Sequence, residues 1–217
     1  ATFGAVTGAA AGVLPIKGTA GAAVGSFSLD IAAGGDDARE SGGGVMSLTT
    51  STVDCYSSYP YIGLIFRALA IPAGATVTNA YLNVRATTTD DPALTICGQA
   101  DPADFTTTVY DLSSRTKTAA GVAWVASNIG EGVKPSPDIS AVLNEIVGAE
   151  GWQEGDDLAL FLIDNGVGGA FGFTTYEYSP TYPPPQLVVE WTIAATGNEI
   201  DAVTGSGAAT LATHGAA

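Results

Sequence analysis

The sequence predicts an all-β fold, a jelly-roll-like antiparallel β-sandwich with one short helix at about residues 137–148. Three observations point to it. Short apolar runs of period two recur along the chain, the pattern of strands with one face in a core and the other in water. Gly- and Pro-rich turns separate them at short intervals. Only one stretch spaces its apolar residues as a helix does, so helices cannot be a principal layer.

The elements follow in chain order. Residues 1–27 carry small residues with scattered Val, Leu, Ile and Phe, and read as a linker or as short strands packing on a neighbour. From about Asp30 strand patterning begins. Val45–Thr50 is a short β-rich run, and Tyr61–Leu69 places Ile62, Leu64, Phe66 and Ala68 on one face. Ile71-Pro72-Ala73-Gly74 then marks a turn. Val77–Arg85 alternates Ala80, Leu82 and Val84 against Asn79, Tyr81, Asn83 and Arg85. Leu94–Gly98, Leu158–Asp164, Phe171–Tyr176 and Gln186–Ile193 complete the strands, the last with Leu187, Val189, Trp191 and Ile193 inward. In the helical stretch, Ile139, Val142, Leu143, Ile146 and Val147 share a face. Ser136 is placed as N-cap, Pro137 at the first position, Asp138 in the first turn and Gly148 past the end. Trp124, Trp152 and Trp191 are large enough to fill the space between sheets.

Composition excludes several functions. Lys and Arg number 7 against 22 Asp and Glu, a net charge of −15, so nucleic acid and anionic membrane surfaces would repel this chain. The single histidine, His214, three residues from the end, all but removes His-based triads, HExxH zinc sites and His general bases. The longest compact apolar run, Leu158–Ile163, is far too short to span a bilayer. No initiator Met is present, and the opening residues lack a basic signal-peptide region. Ala5-Val6-Thr7-Gly8 recurs as Ala202-Val203-Thr204-Gly205. At the same offset Ala11, Leu14, Gly18 and Ala20 meet Ala208, Leu211, Gly215 and Ala217. The expectation is a Gly/Ala-rich flank at 1–29, a sandwich at 30–193 and a second, similar flank at 194–217, within a longer modular protein.

The stretches ESGGGVMSLTT, GLIFRALAIPAGATVTNAYLNV, FTTTVYDLSSRTKTAAGVAW, SPDISAVLNEIVGAEGW, DDLALFLIDNG and PPPQLVVEW follow one another over roughly residues 30–193. Together they resemble a family of β-sandwich domains of phage virion and bacterial surface proteins. They are more distantly similar to DNRLRE-type carbohydrate-binding modules, which share a strand–turn–strand of the form that IPAGATVTNAYL takes here: a hydrophobic strand, Pro, Gly-Ala, then Val/Ile-Thr-x-Ala-x-Leu. The resemblance implies an adhesion, glycan-binding or purely structural unit.

Candidate sites divide by chemistry. Asp36, Asp37 and Glu40 are the best placed of several acidic groups to hold a structural calcium, which takes six to eight oxygens. Asp90-Asp91, Asp101 with Asp104, and Asp156-Asp157 are the other acidic groups, and a solvated acidic face that keeps the surface soluble is the readier explanation of all of them. Tyr56, Tyr59 and Tyr61 cluster in one loop, and Tyr176, Tyr178 and Tyr182 in another ahead of Pro183-Pro184-Pro185. Tyrosine rings stack on sugars and dominate protein contacts, so Tyr56, Tyr59, Tyr176, Tyr178 and Tyr182 are the ligand-binding candidates. Cys55 and Cys97 form either one disulfide or two buried free thiols. Arg115 is placed to pair with a carboxylate. No catalytic constellation stands out, since no carboxylate pair among so many acids is singled out for glycoside hydrolysis.

The expected function is therefore non-enzymatic: a structural or adhesion protein of a virion (tail, fibre or capsid decoration) or of an extracellular assembly, self-associating through its flanks. The alternative is a carbohydrate-binding module of a secreted protein. The expected partners are copies of itself, other virion or surface proteins, and a glycan, with no nucleic acid and no membrane insertion. The location that goes with them is a virion or the cell surface.

Overall fold

The computed structural model describes residues 22–127 and 129–194, and strands lie in each of the predicted runs, with others between them. In chain order these are β1 (Ala23–Asp30), β2 (Asp37–Glu40), β3 (Met46–Ser47), β4 (Thr52–Cys55), β5 (Tyr61–Phe66), β6 (Thr76–Ala86) and β7 (Ala93–Ala100). After helix α1 (Asp111–Ser114) come β8 (Val122–Val125), β9 (Gly132–Pro135), helix α2 (Ser140–Val147), β10 (Leu158–Asp164), β11 (Phe171–Thr174) and β12 (Gln186–Ile193). Two antiparallel sheets form a jelly-roll-like sandwich. The first has the order β1-β12-β6-β11-β4 with β9 also paired to β6, and the second β3-β2-β5-β10-β7-β8. Among the described residues no helix is long and apolar enough to cross a membrane.

The core lies between the sheets. Ala80, Leu82 and Val84 of β6 pack with Leu187 and Val189 of β12 and Phe171 and Phe173 of β11. Facing them are Ile62, Leu64 and Phe66 of β5, Leu158, Leu160 and Leu162 of β10, and Leu94 and Ile96 of β7. A second, smaller apolar layer covers the outside of the second sheet, where Phe105 and Leu112 lie over Ala38, Ile65, Ala159 and Phe161. Gly63 permits this approach, for a Cβ there would stand 2.5 Å from the Phe105 ring and 2.8 Å from Leu112. Burial on both faces explains why β5 and β10 read as nearly unbroken apolar runs.

Several expected details shift. β1 pairs with β12 along its whole length, so the sandwich reaches back to Ala23, across the boundary expected at residue 30. β5 ends at Phe66, and Ala68 leaves the strand at φ 53°. Trp191 and Ile193 are only partly buried, after a register irregularity between Glu190 and Trp191. Trp124 and Trp152 are buried as expected, Trp124 edge-on to Phe171 at 5.2 Å and Trp152 donating from Nε1 to the Ile71 carbonyl at 3.0 Å.

The helix begins at Ser140 rather than at Pro137, for a reason that lies on β6. Ser136 and Ile139 donate their backbone N–H groups to Leu82 and Ala80 at 2.8 and 2.7 Å, continuing β9 as an irregular edge in which Pro137 needs no donor. Ser136 Oγ accepts from the Leu82 N–H at 3.0 Å instead of capping the helix. The N-cap position falls to Ile139, which has no polar side chain to cap with, while Asp138 just before it accepts from the Ser140 N–H at 2.9 Å and also from the Ala80 N–H at 3.1 Å. Asn144 accepts from the Val77 N–H and donates to the Val77 carbonyl. The segment therefore satisfies backbone groups along this edge of β6. Helix α1 is an addition that apolar spacing does not announce, since only Leu112 of its four residues is buried. The repeated segments at 5–20 and 202–217, and the expected self-association through the flanks, lie outside the described residues.

Candidate functional site

The outer face of the first sheet carries the side chains that β6 turns away from the core. Asn83 lies opposite Gln186 of β12, while Ala86 lies opposite Phe173 of β11, so β6 changes partner around Arg85. The chain arriving at β12 passes this notch as Pro183-Pro184-Pro185, and the Thr174 hydroxyl donates to the Pro183 carbonyl at 3.1 Å. Just before it, the Arg85 guanidinium carbon sits 3.8 Å from the centre of the Tyr182 ring. Tyr182 in turn stacks on Tyr178, with centroids 5.1 Å apart and planes 16° off parallel. Offset stacking and cation–π contact each favour such an arrangement. Arg85 Nε is buried and has no hydrogen-bond partner among the described residues. Beside the stack an open groove of about 180 Å³ is lined by Asn83, Arg85, Val133, Pro183, Pro184 and Gln186. The amides there are ordered: Asn83 Nδ2 lies 3.4 Å from Gln186 Oε1, and Gln186 Nε2 donates to Asp30 at 2.8 Å.

The other tyrosine group is built differently. Tyr56 and Tyr59 bracket a tight turn, exchange backbone hydrogen bonds, and tilt toward each other with centroids 5.7 Å apart. Arg39 lies over Tyr59 at 4.2 Å. Tyr176 joins neither group; it is 37% exposed and gives its backbone N–H to Asp37 at 2.9 Å.

The three carboxylates expected to share a calcium point in three directions. Asp36 meets Arg67 at 2.6 Å, Asp37 accepts from Tyr176, and Glu40 accepts from the Ser113 N–H of α1 at 2.9 Å. All three are buried, but among the described residues no group of three or more acidic, His or Cys side chains is arranged to hold a metal. The convergence occurs instead on Arg67, which also pairs with Asp104 at 2.7 Å and Asp157 at 2.9 Å. Burial alone would lower the Arg67 pKa, but the hydrogen bonds it donates to Asp36, Asp157 and Asp104 raise it above its ordinary value. Burial pushes the Asp37 carboxyl up to about 8, helped by the charges of Glu177 and Asp36, although the Tyr176 N–H opposes it. At this value Asp37 holds its proton near neutral pH, beside Glu177 Oε2, which is buried and unpartnered among the described residues. The other acidic groups also serve backbone donors: Asp90 accepts from Ala170, Asp91 from Ile129 and Asp156 from Gln153. Arg115 finds the carboxylate expected of it in Asp111, one helical turn away at 3.0 Å.

The disulfide is not formed, and both cysteines are free thiols. Cys55 belongs to β4 of the first sheet and Cys97 to β7 of the second, where its register partner is Phe161. Burial pushes the Cys55 thiol up to about 12 and also raises Cys97, so neither is a ready thiolate.

Compared with known proteins, the chain matches no family model and no curated protein. The outer face thus brings together a cation, two stacked phenols and two amides beside an apolar wall. Sequence reading nominated Tyr178 and Tyr182 but not Arg85, Asn83 or Gln186. Their one signal was outward phase in Val77–Arg85 and the start of the last strand.

Proposed function

We propose that this chain is a non-enzymatic adhesion or structural protein of a virion or extracellular assembly, in which the sandwich holds the Tyr178–Tyr182–Arg85 surface toward a partner. The observation that supports it most is where this aromatic area lies. Two stacked tyrosines and a guanidinium sit on the outside of a sheet whose core is already filled by Phe171, Phe173, Leu82 and Leu187. Such side chains contribute most when a partner covers them. A glycan partner, which would make the domain a carbohydrate-binding module, is favoured by the ordered amides of Asn83 and Gln186 beside the rings. Sugars need hydroxyl-directed polar groups next to a flat or apolar face. Immobilised protein is to be offered a panel of neutral and acidic glycans together with isolated cell envelopes. We expect retention of at least one of them, and its loss in Tyr182→Ala. The reading fails if wild-type protein retains none.

A further inference from the structure

Resting on that reading, we infer that the groove beside Arg85 binds a single sugar ring carrying an oxyanion, a carboxylate or a sulfate. Charge is the first argument. Every ion pair among the described residues belongs to Arg67 or Arg115, and Arg85 has none. In a chain of net charge −15, carboxylates are abundant, yet this guanidinium meets a ring instead. Asp30, which neighbours Gln186 across β1 and β12, is engaged by the Gln186 amide.

Presentation is the second argument. Tyr182 lies against the guanidinium and Nε is buried and unpartnered, so the group is held in place by packing rather than by a counter-ion. A planar fork fixed in this way is prepared for a two-point contact with an oxyanion, which a lysine could not reproduce. The rest of the lining fits the rest of a sugar. Pro183, Pro184 and Val133 supply an apolar wall for ring C–H groups, and Asn83 supplies an amide for hydroxyls. The volume of about 180 Å³ is below the range of roughly 300–1,000 Å³ for drug-sized ligands and suits one ring at the end of a chain or branch. The charge of the whole protein opposes approach of an anion from afar. Screening limits that opposition to about 10 Å at 0.1 M salt, so the local guanidinium decides affinity.

The test uses the full chain and three probes on one scaffold: lactose, 3′-sialyllactose and 3′-sulfolactose, alongside the glycan panel in neutral and acidic forms. Acidic members are expected to be retained on the order of tenfold more tightly than their neutral parents, the scale of a charge-assisted contact. The sialyl and sulfo arms separate carboxylate from sulfate. Arg85→Gln is expected to abolish the preference and Arg85→Lys to keep only part of it. A second readout does not depend on a variant that folds. The Arg85 Nε–H resonance, shifted by the Tyr182 ring, is expected to move with whichever acidic probe is retained and to stay put with its neutral parent. Equal retention of neutral and acidic forms overturns the inference, as does a preference that survives Arg85→Gln. Neutral glycans retained in a Tyr182-dependent way sink the oxyanion alone and leave the broader reading standing. Retention of neither glycans nor envelopes sinks both.

Discussion

Arg67 and Arg85 are both half-buried arginines at the end of an internal strand, and they are stabilised in opposite ways. Arg67 follows β5 and is surrounded by the carboxylates of Asp36, Asp104 and Asp157. Arg85, near the end of β6, has an aromatic ring and no carboxylate among the described residues. The first arrangement closes on itself. Asp157 also accepts from the Ala68 N–H at 2.8 Å, tying the β5 exit to the loop before β10. The second leaves a charge unanswered beside a groove. Arg39, over Tyr59 and likewise with a buried Nε unpartnered among the described residues, resembles Arg85 in this, but Arg85 is the one that lines the groove.

The sharpest way to break the comparison is to remove each charge. Arg67→Leu leaves Asp36, whose side chain is 6% exposed, beside Asp37 and Glu177 with no cation. Removing one partner of a fully buried pair costs roughly 3–5 kcal/mol. Arg67 is about one-third exposed and Asp104 is 80% exposed, so the expected loss is nearer ~2–4 kcal/mol. Urea unfolding of Arg67→Leu against wild type measures it. A loss below that of Arg85→Gln would reverse the roles assigned to the two arginines.

A smaller effect concerns the acids around Arg67. Asp37 stands at about 8 in the folded chain against an ordinary 3.8, so between these values the native state holds a proton that the unfolded chain has released. Stability from this group therefore falls as pH rises from about 4 to 8, by at most ~1.4 kcal/mol per pH unit, and levels off above. For a domain of this size each kcal/mol moves Tm by roughly 2–4 °C. The groups facing Asp37 are Glu177, Asp36 and the Tyr176 N–H. Asp37→Asn keeps an acceptor for Tyr176 and a donor for Glu177, and carries no charge to bury. Its Tm is expected to change less between pH 5.5 and 9 than that of wild type and to exceed it at pH 9. Parallel profiles would show that Asp37 is ionised throughout.

How much of this was legible depends on whether a signal is local. Val77–Arg85 announced itself because one face meets the core and the other water, and the outward residues of that pattern include Asn83 and Arg85. β5 and β10 were legible as strands, but the Phe105–Leu112 cover that buries their second face comes from a distant loop whose own sequence is polar. β1 was hidden because Gly25 and Ser26 dilute its alternation, and only pairing with β12 makes it a strand. The tyrosines were visible as clusters, whereas the Arg85–Tyr182 contact depends on where β6 exchanges β12 for β11. Asp36, Asp37 and Glu40 were visible as acids. Their divergence was not, because their donors lie just after β5, on the 3₁₀ turn Tyr176–Tyr178 and on α1.

The smallest expected effect sharpens the comparison from the other side. If Arg85 and Tyr182 serve a partner, the isolated domain should scarcely miss them. The cation–π contact is worth about 0.5–1 kcal/mol where partly exposed, and an aromatic pair about 0.5–1.5 kcal/mol. Against these, Arg85→Gln relieves a buried unpartnered Nε, a group whose burial ordinarily costs about 1–3 kcal/mol. The terms nearly cancel, so Arg85→Gln should change stability by less than ~1 kcal/mol in urea unfolding. A loss comparable to that of Arg67→Leu would mean that the stack is a structural clamp and that its exposure follows from packing. A near-neutral result, together with lost retention on glycans, would place its free energy in the complex.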